Sequence, residues 1–207
     1  MPDDTIGIID YGMGNLRSVA KAIEHFGATV TVGDHPRTLR RTGKLILPGV
    51  GAFGAAMAEL KKRNLITLIK DSVQIGKPIL GICLGLQLFF ERSEESPRVK
   101  GLGIWRGSVV RFPATKTLRL KIPQMGWNQV RFCKRSRLMA HVKDNSYFYF
   151  VHSYYAKPAD SGLIVGEGEY GVSFPAVLAG GSVFAVQFHP EKSEQPGLEI
   201  LKNFIRL

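Results

Sequence analysis

The sequence predicts an α/β protein: a mostly parallel sheet covered by helices on both faces, with additional antiparallel strands in the C-terminal half. Three observations carry this expectation. Wholly apolar strand candidates alternate with amphipathic helical stretches as far as Glu91, and strands without polar alternation are those buried on both faces of a parallel sheet. After Glu95 the helical period gives way to shorter strand candidates separated by turns. At 207 residues, 44% of them hydrophobic, the chain can bury one substantial core, so a single domain over 1–207 is expected.

In chain order, Thr5 to Asp10 reads as a buried strand, and Asn15 to Phe26 as a helix with Leu16, Val19, Ala20, Ile23 and Phe26 at helical spacing, closed by Gly27. Ala28 to Val32 and Lys44 to Leu47 are the second and third strands. A helical region from Ala55 to Ile75 is broken near Asn64. The apolar strand Pro78 to Ile82 leads into a helix that starts after Cys83 and ends near Phe90 or Glu91. Later strand candidates are Ser108 to Phe112, Asn128 to Phe132, Tyr147 to Val151, Leu163 to Glu167, Ala176 to Ala179 and Ser182 to Phe188. Gly180-Gly181 forms a tight turn between the last two, and Gly197 to Ile205 is a terminal helix.

Composition narrows the class. Two cysteines, Cys83 and Cys133, are too few for a disulfide scaffold, so a reducing cytoplasm is expected. The start of the chain lacks a basic region followed by an apolar one, and no apolar run reaches membrane-spanning length, so no membrane association is expected. The net charge of +11 has one source: from Ser96 to Lys143 there are twelve Lys and Arg and no acid, whereas the rest carries sixteen basic and seventeen acidic residues. A strongly basic balance raises nucleic acid, a membrane surface or phosphorylated ligands as readings, and here the whole excess belongs to one central segment.

The chemistry is carried by Gly81-Ile82-Cys83-Leu84-Gly85-Leu86-Gln87 and by Gln187-Phe188-His189-Pro190-Glu191. A cysteine between strand and helix, with glycine two positions to either side, matches a nucleophile elbow, and the N–H of the next residue, Leu84, can serve an oxyanion. A helix N-terminus also favours a thiolate. The alternative is an ordinary buried cysteine packing as a small hydrophobe. His189 and Glu191, two apart in an extended segment, project to one side, so the carboxylate can align the imidazole; the alternative is a surface turn with a solvated histidine. Thiol, imidazole and carboxylate are the set that covalent acyl transfer needs. Pro48-Gly49-Val50-Gly51 follows the third strand, and its glycines let backbone N–H groups approach a ligand, or make a simple turn.

Two other signals compete. Asp10-Tyr11-Gly12-Met13-Gly14-Asn15 imitates a dinucleotide fingerprint, but Arg17 stands where close packing wants the third glycine, so no nucleotide is expected there. The aromatic run Tyr147 to Val151 reads as core, and His152 as structural.

Taken together, the cysteine and histidine motifs resemble those of the triad-type, class I glutamine amidotransferases. More narrowly, Asp10 to Leu16, Pro48 to Gly51, Pro123-Gln124-Met125-Gly126-Trp127-Asn128, Tyr149 to Tyr155 and His189 to Ser193 are similar, in order and over the full chain, to the glutaminase subunits of imidazole glycerol phosphate synthases. Sister glutaminases carry Pro-Gly-Gly-Pro-Gly where this chain has Pro48-Gly49-Val50-Gly51.

The resemblance implies a flavodoxin-like fold, with Cys83 attacking the glutamine side-chain amide, His189 moving the proton to departing ammonia, Glu191 holding the ring, and water cleaving the thioester. Gln87, the Gly49, Val50 and Gly51 loop and Leu84 would hold substrate and oxyanion. No cofactor or metal is implied. Ammonia would pass to a (β/α)8 cyclase subunit, in a heterodimer of histidine biosynthesis that makes imidazole glycerol phosphate and aminoimidazole carboxamide ribotide. Gly126-Trp127-Asn128 would lie toward that subunit; the basic stretch that contains it departs from the family's pattern, and part of its charge either meets an acidic face on the cyclase and speeds encounter or forms a solvated face that helps solubility. The rival readings are a glutaminase of another synthase, a freestanding γ-glutamyl hydrolase, and a nucleic-acid-binding protein in which Cys83 is structural.

Overall fold

The computed structural model describes residues 5–113 and 120–207. Lys116 and Arg119 of the basic block and the first four residues, read above as lacking a leader, lie outside the described residues.

Among the described residues, twelve strands form two sheets. The large one runs β2 (Val30–Gly33), β1 (Ile6–Ile9), β3 (Lys44–Gly49), β4 (Ile79–Cys83), β12 (Val183–Val186), β11 (Ser173–Gly180), β10 (Ile164–Glu169), β7 (Gln124–Phe132) and β8 (Ser146–His152). From β2 to β12 every pairing is parallel, in the 2-1-3-4-5 order of flavodoxin-like sheets. From β12 to β8 every pairing is antiparallel. The strands predicted after Glu95 therefore extend the parallel sheet, except Ser108 to Phe112, which falls in a second, smaller sheet. A small sheet of β5 (Phe90–Ser93), β6 (Trp105–Arg111) and β9 (Tyr154–Pro158) stands beside it.

The apolar strands of the N-terminal half feed two cores by alternation. In β3, Leu45 and Leu47 face one cluster and Ile46 the other; in β4, Ile79 faces the first and Leu80 and Ile82 the second. On the first face lie α2 (Pro36–Arg40), α3 (Phe53–Lys62), α4 (Leu65–Gln74) and α5 (Leu84–Leu88), through Leu39, Phe53, Leu60, Leu68 and Leu86. On the second lie α1 (Leu16–Glu24) and α6 (Glu194–Ile205), through Val19, Ile23, Ile200 and Phe204. The break at Asn64 is a single left-handed residue, φ 57°, between α3 and α4. The Gly180-Gly181 turn joins β11 and β12, with Gly181 at φ +60°.

Three elements depart from the sequence reading. The helix after Cys83 stops at Leu88, because carbonyls that a longer helix would use are claimed by a distant segment: Leu88 O accepts from Leu102 N–H, and Phe89 O from Ile104 and Trp105. Phe90–Ser93 is thereby released to pair in parallel with β6. β9 was not foreseen, since its partner β6 is remote in sequence. Nor was α2, five residues that begin at Pro36 and are capped by His35 Nδ1, which accepts from Arg37 N–H.

The basic block is contiguous in sequence but divides between the two sheets. Arg106 and Arg111 lie on β6 of the small sheet, whereas Arg131, on β7 of the large one, pairs with Glu167. Lys134 donates to Gly162 O and Arg137 to Leu207 O, so part of this charge is engaged by main-chain oxygens at the surface.

Candidate active site

β4 delivers Cys83 and α5 starts at Leu84, so the chain must turn sharply between them. It does so at Cys83 itself, with φ 55° and ψ −108°, a conformation L-residues hold only where surrounding structure enforces it. The flanking glycines are what the turn requires. A Cβ on Gly81 would lie 2.6 Å from Phe89 Cε2, and one on Gly85 would lie 2.9 Å from the Leu47 carbonyl carbon and closer still to its oxygen. Gly49, at the end of β3, pairs beside Cys83, and a Cβ there would collide with the Tyr11 hydroxyl. Leu84 opens the helix, so its N–H has no acceptor within it.

β12 lies directly beside β4, Val186 opposite Ile82, and carries the chain to His189 next to Cys83. The His189 N–H donates to Tyr149 O at 2.9 Å, and its carbonyl accepts from Ser193 Oγ at 2.6 Å, an oxygen that also takes the Tyr149 N–H at 2.9 Å. Backbone on both sides is thus fastened to β8. His189 Nδ1 meets Glu191 Oε1 at 2.9 Å, with both side chains buried. The pairing expected from sequence is present, but its geometry differs: Pro190–Lys192 forms a 3-10 turn, and that turn brings the carboxylate under the ring. An extended i to i+2 arrangement does not occur.

Burial works against an imidazolium at His189, but Cys83 and Glu191 together outweigh it and raise the group to about 10. His189 Nε2 is buried without a closed hydrogen bond, so the influence of Cys83 on it acts as electrostatic proximity. A raised midpoint means that the folded chain holds this proton more tightly than the unfolded one. The stabilisation is full below about pH 6.5 and is lost as pH rises through about 10.

A cavity of about 240 Å³ opens over Cys83, lined by Val50, Gly51, Leu84 and Gln87 from the sequence-derived set. That is below the ~300 Å³ typical of drug-sized pockets and suits an amino acid. Glu95, Pro123 and the segment Val151 to Tyr154 complete it. Glu95 was not foreseen. It is the carboxylate in this lining, held by Phe53 N–H at the start of α3 at 2.7 Å, and the signal in the sequence is slight: it is the last acid before the acid-free block. The dinucleotide-like loop is closed by its own Asp10, whose Oδ1 accepts from Gly12 N–H at 2.9 Å.

His152 sits among Phe112, Phe150 and Phe174, with Nδ1 2.8 Å from Tyr154 O. Burial, more than the neighbouring His189, pushes it down to about 4. Here the unfolded chain binds a proton that the folded one refuses. Stability is therefore expected to fall by about 3 kcal/mol between neutral pH and pH 4 on this account alone. Urea titrations of the native chain and of His152→Gln at both pH values check this, the variant lacking that component.

Residues 7–207 match the family model "Glutamine amidotransferase class-I". The imidazole glycerol phosphate synthase subunit HisH of Geobacillus kaustophilus is 50% identical over 202 residues, covering 97% of this chain and 95% of that protein. The HisH subunit of Methanocaldococcus jannaschii is 48% identical over 204 residues, covering 98% and 99%. Among solved structures, a glutamine amidotransferase crystal structure superposes with a TM-score of 0.74 at 18% identity, covering 96% of this chain and 98% of the other. PurLQS from Thermotoga maritima gives 0.74 at 16% identity, covering 100% and 99%. At those identities the two structures speak for the fold alone. The chain belongs to the class-I glutamine amidotransferases and, within them, to the family of HisH subunits of imidazole glycerol phosphate synthase.

Proposed function

We propose that this glutaminase hydrolyses glutamine through a thioester on Cys83 and hands the ammonia to a (β/α)8 cyclase subunit, in the cytoplasm, within histidine biosynthesis. The observation that carries the reading is the convergence of Cys83, His189 and Glu191 beneath a cavity of amino-acid size. Cys83 Sγ attacks the carboxamide carbon, its proton going to His189 and from there to the leaving ammonia; water then attacks the thioester, giving glutamate and free thiol. Glu191 keeps the imidazole turned toward the sulfur. Leu84 N–H and the Gly49 to Gly51 backbone receive the oxyanion.

Glu95 supplies the negative charge for the substrate's α-ammonium group. Glu95→Gln keeps an acceptor for Phe53 N–H but loses that charge, so KM for glutamine is expected to rise about tenfold or more with kcat little changed. Steady-state kinetics separates the two.

The partner surface is marked by Val50, Met125 and Trp127, large apolar side chains left exposed; Val50 lines the cavity mouth, and Met125 and Trp127 follow Pro123, which also lines it. A cyclase seated there covers the mouth. The test is glutamine hydrolysis with and without the co-purified (β/α)8 subunit and its ribotide ligand. Slow turnover alone, accelerated by both, is the expected result; brisk turnover by the isolated chain would point to a freestanding hydrolase.

A further inference from the structure

We infer that Gln187 is a hydrogen-bond donor to the Cys83 sulfur, aimed there by a chain of amides that starts at a backbone carbonyl. Gln187 is fully buried just after the end of β12, beside the elbow, and its Nε2 lies 3.8 Å from Cys83 Sγ. Its Oε1 lies 3.2 Å from Gln87 Nε2, and the same Gln87 nitrogen lies 3.0 Å from Tyr154 O. An amide oxygen and nitrogen look alike in shape, but this arrangement permits one assignment. Tyr154 O can only accept, so Gln87 must present its NH₂ to it. The second N–H of that group then points at Gln187, which must answer with its oxygen. The Gln187 NH₂ is left facing the sulfur. His152 Nδ1, 2.8 Å from Tyr154 O, anchors the far end.

The other hydrogen bond at this sulfur runs to Val151 O at 3.8 Å, an acceptor that suits only the protonated thiol. Once the proton leaves for His189, the carbonyl has nothing to accept, whereas the Gln187 N–H bond strengthens because its acceptor has become an anion. The amide proton stays on nitrogen throughout. Gln187 thus favours the ionised nucleophile without touching glutamine, since it does not line the cavity. The inference rests on the reading of Cys83 as nucleophile.

The experiment is carried out in a Cys133→Ser background, because Cys133 is exposed and would react first. Gln187→Met keeps the length of the side chain and removes the donor. Alkylation of Cys83 by iodoacetamide at about pH 7 is expected to slow about fivefold, the lost hydrogen bond to the anion being partly offset by the higher intrinsic reactivity of the less stabilised thiolate. At about pH 9.5 the deficit narrows, because low proton activity then favours thiolate in parent and variant alike. KM for glutamine stays as in the parent while kcat falls. Gln187→Glu, of the same shape but with a carboxylate toward the sulfur, slows alkylation further and serves if the Met variant does not fold. A native alkylation rate at pH 7, or a deficit equal at both pH values, overturns the inference, the second result assigning Gln187 to packing alone. Failure of the parent protein to react with a glutamine-analogue electrophile overturns the nucleophile reading instead.

Discussion

Cys83→Ala is expected to abolish glutamine hydrolysis, lowering kcat by at least about 10⁴-fold, because the covalent route has no substitute once the sulfur is gone. Binding should survive: most of the cavity lining comes from Val50, Gly51, Gln87, Glu95 and the Val151 to Tyr154 segment. A second consequence separates chemistry from collapse. His189 is raised to about 10 by Cys83 and Glu191 against its burial, so removing the sulfur leaves only Glu191 opposing desolvation and the imidazole midpoint must fall. NMR titration of the His189 ring reads this directly. An inactive variant with an unmoved midpoint would show that sulfur and ring do not communicate.

Gly85→Ala is expected to be nearly as severe by a different route. The new methyl group would press on the Leu47 carbonyl, backbone of the neighbouring strand β3 in the middle of the sheet, where nothing can rotate away. Either α5 lifts or β3 shifts. Overpacking of this kind against backbone costs about 3 kcal/mol, which for a chain of this size lowers Tm by roughly 6–12 °C. Since α5 begins at the residue after Cys83, the same displacement moves Leu84 N–H and Gln87, so turnover should fail in protein that is still folded. Thermal unfolding together with glutaminase assays below the transition checks both halves. Ile75→Ala, at a position 74% exposed, provides the contrast and should alter stability by no more than about 0.5 kcal/mol.

The sequence made some features plain because they are local. Apolar strands without alternation, the break at Asn64 and the glycines around Cys83 each act within a few residues of themselves, and each is where it was expected. β5 and β9 were not legible because each exists only through β6, and the helix that would have run through Phe90 is stopped by N–H groups from residues 102 to 105. The His189–Glu191 pairing was anticipated from spacing, but through an extended geometry that the 3-10 turn replaces. Glu95 and Gln187 escaped notice for the same physical reason. The last of three nearby acids, placed on an irregular segment, and an amide ahead of a histidine acquire their roles only from what the fold sets against them, here Phe53 N–H and Cys83.

The placement of β12 has a consequence for how the enzyme comes into being. It is the central strand of the large sheet, inserted between β4 and β11, yet it comes from the last eighth of the chain. During synthesis Cys83, the proposed nucleophile, leaves the ribosome roughly a hundred residues ahead of the strand that brings His189, with the β12-facing edge of the apolar strand β4 unpaired in the interval. On the proposed mechanism, the nascent chain carries a thiol without its proton acceptor until β12 has been made. Truncation before Val183 should leave a protein with neither a continuous large sheet nor glutaminase activity, the two being lost together.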